Sequence, residues 1–208
     1  MMFLVKDLHE IGKGGYKTVY QHPEIESQVI KIIRSERVTS DGCFKKHKWW
    51  KKHTMQGVYR QFRREIIQYL QLCKNSYGEK RFKFAMETPY ALVPTDQGLG
   101  LVAEKITGPS GKGETLSKMA VNGKVEEKHI RALQKFFSDC IEQHIVFGEV
   151  NAAGILYTES RSGRPEFVLV DGIGEKLLFP IRSISKKNNA AYVRKIEQRI
   201  KAEFNINY

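Results

Sequence analysis

Apolar residues recur along this chain with two different periods, and each change of period marks a new element. Between 3 and 21, Phe3, Val5 and Leu8 precede a glycine cluster, and Thr18, Val19 and Tyr20 follow it. Both sets suit a pleated surface and predict two strands around a turn. Residues 28–33, QVIKII, predict a third strand, and the polar, basic stretch 34–54, with Gly42 inside, predicts a loop. From 58 to 73 the period becomes helical, with Val58, Phe62, Ile66, Tyr69, Leu70 and Cys73 forming the apolar stripe. Strands return at 90–94 and 99–105 around the turn TDQG. Residues 107–124, rich in Gly, Ser and Lys, read as a connector. A second helix is expected over 125–144, with Ile130, Leu133, Phe137, Cys140 and Ile141 inward. Short strands follow at 155–158 and 167–170 around ESRSGRP. A last helix is expected over 190–204, with Val193, Ile196, Ile200 and Phe204 on one face. No internal repeat is visible.

The 208 residues suit one domain, or one core split into two small lobes, and 41% hydrophobic content suffices for a core. No apolar run approaches the ~20 residues of a membrane-spanning helix. The start MMFLVKDLHE carries charge too early for a secretory signal, so a cytoplasmic protein is expected. Cys43, Cys73 and Cys140 are odd in number and widely spaced, which argues against a disulfide framework. Without a CxxC pair there is no spacing for structural zinc. Cys73 and Cys140 sit in helical apolar stripes and read as small core residues. The net charge of +12 favours anionic partners without choosing among nucleotides, nucleic acid, acidic proteins and headgroups.

Three segments carry candidate chemistry. Gly12, Gly14 and Gly15, in IGKGGYKTVY, can curl backbone amides around phosphate oxygens; they equally suit a plain hairpin turn. The Walker pattern GxxxxGK[ST] is absent. Lys31 lies in an apolar strand, where alternation points it with Val29 and Ile33. An inward lysine needs a partner, and Glu65, on the inner edge of the following helix, is the acid at hand; an edge-strand lysine in water is the other reading. Asp171 ends the run FVLV before Gly172, Ile173 and Gly174, as a magnesium ligand or as an ordinary turn aspartate. Their order, glycine turn, strand lysine, helix acid and late strand-end aspartate, is the order in which kinase-like folds lay out phosphate and metal sites. Kinase-like proteins place a catalytic aspartate between the second helix and the next strand, and an asparagine five residues on. This chain has Glu149 and Gly154 there, with Asn151 as a substitute ligand.

At these residues the chain resembles the PhoP regulatory network protein YrbL family of bacterial proteins, which is itself similar to protein kinases in fold. The resemblance runs through IGKGGYKTVYQHPE, VIKII, RREIIQYLQL, PTDQGLGLVAEKI, GILYTES and VLVDGIGEKLLFPIRSISK, most of the chain. It implies an α+β, protein-kinase-like fold: a small antiparallel β-sheet lobe with one helix over 1–106, and a reduced, mainly helical second lobe over 107–208, with a nucleotide cleft. It implies ATP and Mg2+ as cofactors, Lys31 on phosphate with Glu65 paired to it, Asp171 on magnesium, and backbone at Glu104 and Ile106 facing adenine. The chain departs from the kinase pattern where Lys17 replaces the third loop glycine, at Glu149 and Gly154, and in the short stretch after Asp171, which has no APE sequence.

Three functions follow as expectations. The first is an ATP-dependent phosphotransferase with a small-molecule or protein acceptor, in which Glu149 accepts the hydroxyl proton. The second is a pseudokinase module that binds nucleotide or a partner without turnover. The third is nucleic-acid binding through 44–53, FKKHKWWKKH, where Lys45, Lys46, Lys51 and Lys52 neutralise phosphates and Trp49 and Trp50 stack on bases. The same loop also reads as a basic surface with its tryptophans packed down.

Overall fold

The computed structural model describes residues 2–45, 56–176 and 180–208. The fold is mixed α+β, and the chain divides into two compact units: Met1–Ile66 with Thr88–Lys105, and Ile67–Glu87 with Ile106–Tyr208.

The first unit is built on a five-stranded antiparallel sheet of β1 (Glu10–Lys13), β2 (Lys17–Gln21), β3 (Gln28–Ile33), β4 (Pro89–Thr95) and β5 (Gly98–Glu104), in the order β1-β2-β3-β5-β4. β3 is central and buried on both faces, which is why its sequence is nearly all apolar. One face presents Ile30 and Ile32, which pack with Val102 and Val5. On the other, Ile33 and Leu101 pack with Val58 and Phe62 of the segment leading into and forming helix α1 (Arg60–Asn75). The strand expected over 3–8 is a short 3-10 turn at Val5–Asp7 instead. Phe3 alone pairs with the sheet, beside Thr95. The Val5 amide then donates to the Asp96 carboxylate at 2.8 Å, which turns the chain so that Val5 drops into the core.

The second unit has a three-stranded sheet, β6 (Glu114–Thr115), β7 (Ile155–Thr158) and β8 (Glu166–Leu169), in that order. Its helices are α2 (Leu116–Val121), α3 (Glu127–Glu142), α4 (Ile181–Ile184) and α5 (Lys186–Phe204). Leu133, Phe136, Phe137 and Cys140 of α3 share one core with Phe167 and Leu169 of β8 and with Val193, Ile196 and Ile200 of α5. Burial pushes the Cys140 thiol well above its ordinary value, as befits a small core residue. The expected connector over 107–124 therefore holds β6 and α2; the Thr115 hydroxyl caps α2, and Leu116 and Met119 are buried. So few apolar residues leave no readable period. Leu70, expected inward on α1, is exposed. Gln68 takes the inward place because its carboxamide bonds the His144 carbonyl and the Val146 amide.

Candidate functional site

The glycine turn closes when the Gly14 amide donates to the Lys17 carbonyl at 2.8 Å. The Arg34 guanidinium holds the Gly14 carbonyl at 3.0 Å, tying the turn to the end of β3. None of Gly12, Gly14 and Gly15 adopts a positive φ. What distinguishes the turn is space: a side chain on Gly15 would meet nothing within 4 Å, whereas one on Gly14 would meet the Lys17 carbonyl at 3.3 Å.

Strand register decides which side chains share a face. Lys17 lies across from Ile33, and Lys31 across from Val19 on one side and Leu101 on the other. Lys17 and Lys31 are thus diagonal neighbours on the face that packs against α1. Both are buried, as is Glu65. The Lys17 ammonium stands 2.8 Å from Glu65 Oε1, and the other carboxylate oxygen, Oε2, is buried without a hydrogen-bond donor. Glu65 comes one helical turn after Phe62, on the same inward face. The structure brings Lys31 and Glu65 to one side of the sheet, and it sets Lys17 directly against the acid.

At the end of β5, the Glu104 amide donates to the Thr88 carbonyl at 2.9 Å, and the Glu104 carboxylate accepts from the Thr88 amide and hydroxyl. The Lys105 amide donates to the Ser27 carbonyl, and the Ile106 side chain is buried.

In the second unit, Glu149 and Asp171 lie on two loops bonded backbone to backbone. The Gly148 and Glu149 amides both donate to the Gly172 carbonyl, and the Gly174 amide donates to the Val146 carbonyl. Phe147 pairs with Ile173 across the same junction. Gly172 has φ +77°, and a side chain there would meet the Glu149 backbone at 2.7 Å, so only glycine permits the approach. Glu149 and Asp171 are both exposed. The Glu149 carboxylate pairs with the Lys176 ammonium. The Asn151 side-chain oxygen accepts from the amides of Ala153 and Gly154 at 3.0 and 3.1 Å, capping a short 3-10 turn. Gly154 abuts Asp171: a side chain at 154 would stand 3.2 Å from the Asp171 carbonyl oxygen and 3.3 Å from its Cβ, a tight fit that Asp171 must yield to by a few tenths of an ångström.

The sequence marks Lys17 only as the residue in place of the third loop glycine, and it passes over Lys176 and the pair Glu175–Arg182. Lys17 was legible, since alternation puts it on the face of Val19 just as it puts Lys31 with Val29. The other two were not. Arg182 is buried, bonds Glu175 at 2.7 Å and the Phe147 carbonyl at 2.8 Å, and lies 4.3 Å from the Tyr192 ring centroid. The two residues are seven apart, and α4, which carries Arg182, is only four residues long, too short to show a period.

In the basic segment, Lys45 is exposed, and its amide donates to the Arg37 carbonyl. Lys46, Trp49, Trp50, Lys51 and Lys52 lie outside the described residues. Among the described residues, no group of three or more His, Cys, Asp and Glu side chains is placed to hold a metal ion, and no helix is long and apolar enough to cross a membrane. No curated protein matches this chain. The family described as PhoP regulatory network protein YrbL matches residues 3–204, nearly its whole length.

Proposed function

The chain belongs to the PhoP regulatory network protein YrbL family, and from that premise we propose that it is a kinase-like ATP-binding protein that transfers phosphate to an acceptor. In this reading the five-stranded unit with α1 corresponds to the small lobe of a kinase, and the second unit to a reduced helical lobe. The observation that carries the reading is the burial of Lys31, 4% exposed, in the central strand, on the sheet face that also receives the buried Glu65. A charged amine is costly to bury without a partner, and a strand lysine beside a helix acid is the kinase device for holding the α- and β-phosphates.

Each residue then has a role. Lys31 neutralises phosphate oxygens, and the turn of Gly12, Gly14 and Gly15 lays open backbone against them. Backbone at Glu104 and Ile106 meets adenine. Asp171 is the magnesium ligand; one carboxylate fits this ion, which is commonly held by one or two carboxylates plus the phosphates themselves. An ion held there by Asp171 would supply charge neutralisation for the phosphates. Glu149 takes the proton of the acceptor hydroxyl, and Lys176 holds its carboxylate in position. Asn151 fixes the loop between them, because its oxygen is engaged as a cap.

A second reading, nucleotide binding without turnover, is favoured by Gly154 at the position of the second metal ligand and by the engaged Asn151 oxygen. A thermal-shift titration with Mg-ATP tests the shared part: wild type rises in melting temperature and Lys31→Ala rises less. No shift in wild type removes both readings. ATP consumption that vanishes in Asp171→Ala and Glu149→Gln then selects the phosphotransferase, and binding without consumption selects the module.

A further inference from the structure

We infer that the outward face of α1 in the second unit, with the loop that follows it, docks onto an anionic lipid surface. Residues 67–83 form this face.

The inward side of this part of α1 fills the core, where Leu72 is buried and Tyr69 and Cys73 pack against it. The opposite side of such a helix is ordinarily polar. Here Ile67, Leu70 and Tyr77 are exposed instead, Leu70 by 58% and Tyr77 by 80%. Ile67, Leu70, Lys74 and Tyr77 follow one another at intervals of three, four and three, a single line along a helix. The Ser76 amide donates to the Leu72 carbonyl at 3.0 Å, and the Tyr77 amide donates to the Lys74 carbonyl at 3.3 Å. These bonds carry the coil past Asn75 and keep Tyr77 on that line. The Tyr69 hydroxyl donates to the Phe82 carbonyl at 3.1 Å, which holds Phe82, also exposed, beside the helix.

The free charge on this face has one sign. Lys74, Lys80, Arg81 and Lys83 are exposed. Glu79 is the only acid among residues 67–83, and it pairs with Arg81 at 3.2 Å. Lysines set among apolar side chains match a surface that is negative outside and apolar beneath. Their stems lie along hydrocarbon while the ammonium groups stay with the headgroups. A tyrosine suits the same boundary, with its ring in the apolar layer and its hydroxyl in water.

Two other kinds of partner fit less well. Three of the four cations are lysine, which is depleted at protein–protein interfaces. Ile67 and Leu70 are aliphatic and cannot stack on bases as aromatic rings do. A lipid surface accepts both features, since membrane-surface helices combine basic residues with aliphatic and aromatic ones.

The test is flotation of the full chain with phosphatidylcholine vesicles, with and without phosphatidylglycerol. Wild type is compared with Leu70→Ser/Tyr77→Ser, with Lys74→Gln/Lys80→Gln/Lys83→Gln, and with Lys186→Gln/Lys187→Gln/Lys195→Gln on α5, which removes equal charge elsewhere. All the replaced side chains are exposed, so the melting temperatures should match wild type. Wild type is expected to float only with the anionic vesicles. Partitioning should weaken about tenfold in the Leu70/Tyr77 variant, at unchanged net charge. It should weaken roughly fivefold for each lysine removed from the face, and stay at the wild-type level in the α5 variant. Absence of wild-type flotation overturns the inference, as does full retention in the Leu70/Tyr77 variant. Equal loss in the two lysine variants also overturns it, because net charge alone would then explain the attraction. Poly(U) binding that falls in the Leu70/Tyr77 variant while flotation does not assigns the face to nucleic acid instead.

Discussion

The amide of Gly148 donates to the carbonyl of Gly172 at 2.7 Å, which couples the loop bearing Glu149 to the loop bearing Asp171. Gly148 is as constrained as its partner: a side chain there would meet the carbonyl oxygens of Gly174 at 2.5 Å and Gly172 at 2.9 Å. Those are backbone atoms, which cannot swing aside as a side chain would. The two exposed carboxylates therefore stand on a single rigid backbone junction.

Gly148→Ala is expected to destabilise the second unit by about 1–3 kcal/mol, the usual range for forced overpacking. Urea denaturation measures this directly. A midpoint equal to wild type would mean that the two loops part easily and that Glu149 and Asp171 are not rigidly coupled.

Arg182 and Glu175 form a buried ion pair, with side chains 9% and 10% exposed. Arg182→Ala takes the guanidinium from the Glu175 carboxylate, which keeps the amides of Lys176 and Arg182, and is expected to cost about 3–5 kcal/mol. Replacing both residues with Met should recover most of that loss, because no buried carboxylate then lacks its cationic partner. Equal destabilisation in the single and double variants would shift the weight onto the bond from Arg182 to the Phe147 carbonyl.

Asn151→Ala removes a cap that accepts from two amides and should cost about 1 kcal/mol. Asn151→Asp keeps an accepting oxygen and should stay within a few tenths of wild type. If both substitutions are silent in denaturation, the cap has no part in fixing the loop, and Asn151 returns as a candidate ligand.

His129 supplies a pH test. Burial, followed by the nearby Lys128 charge, lowers its pKa from the ordinary 6.5. Its Nδ1 accepts from the Glu126 amide at 2.9 Å, so the folded state needs the neutral ring. A depressed pKa means that the unfolded chain binds the proton more readily. Its contribution to stability is therefore full above pH 6.5 and declines as pH falls below that value toward the folded pKa. Melting temperatures across this range should fall less steeply in His129→Gln, and parallel curves would remove the role of the ring.

Much of the scaffold was legible from local pattern. The 28–33 strand, the strands joined by TDQG, and the three long helices were visible as periods, because one buried face forces regular spacing on the residues that fill it. The turn at Val5–Asp7 was not, because its cause is an aspartate 91 positions away. α2 escaped because two buried residues make no period.

The family, too, was legible from contiguous phrases of sequence. Alternation alone put Lys31 inward, and the helical stripe alone put Glu65 inward. Which amine the acid meets was settled by strand register, since a shift of β2 against β3 by one residue would turn Lys17 to the opposite face. The fit of Gly148 to Gly172 and the burial of Arg182 on Glu175 likewise arise only when distant segments pack. Periodicity belongs to each residue's nearest chain neighbours, whereas a contact belongs to the folded arrangement that brings two segments to the same place.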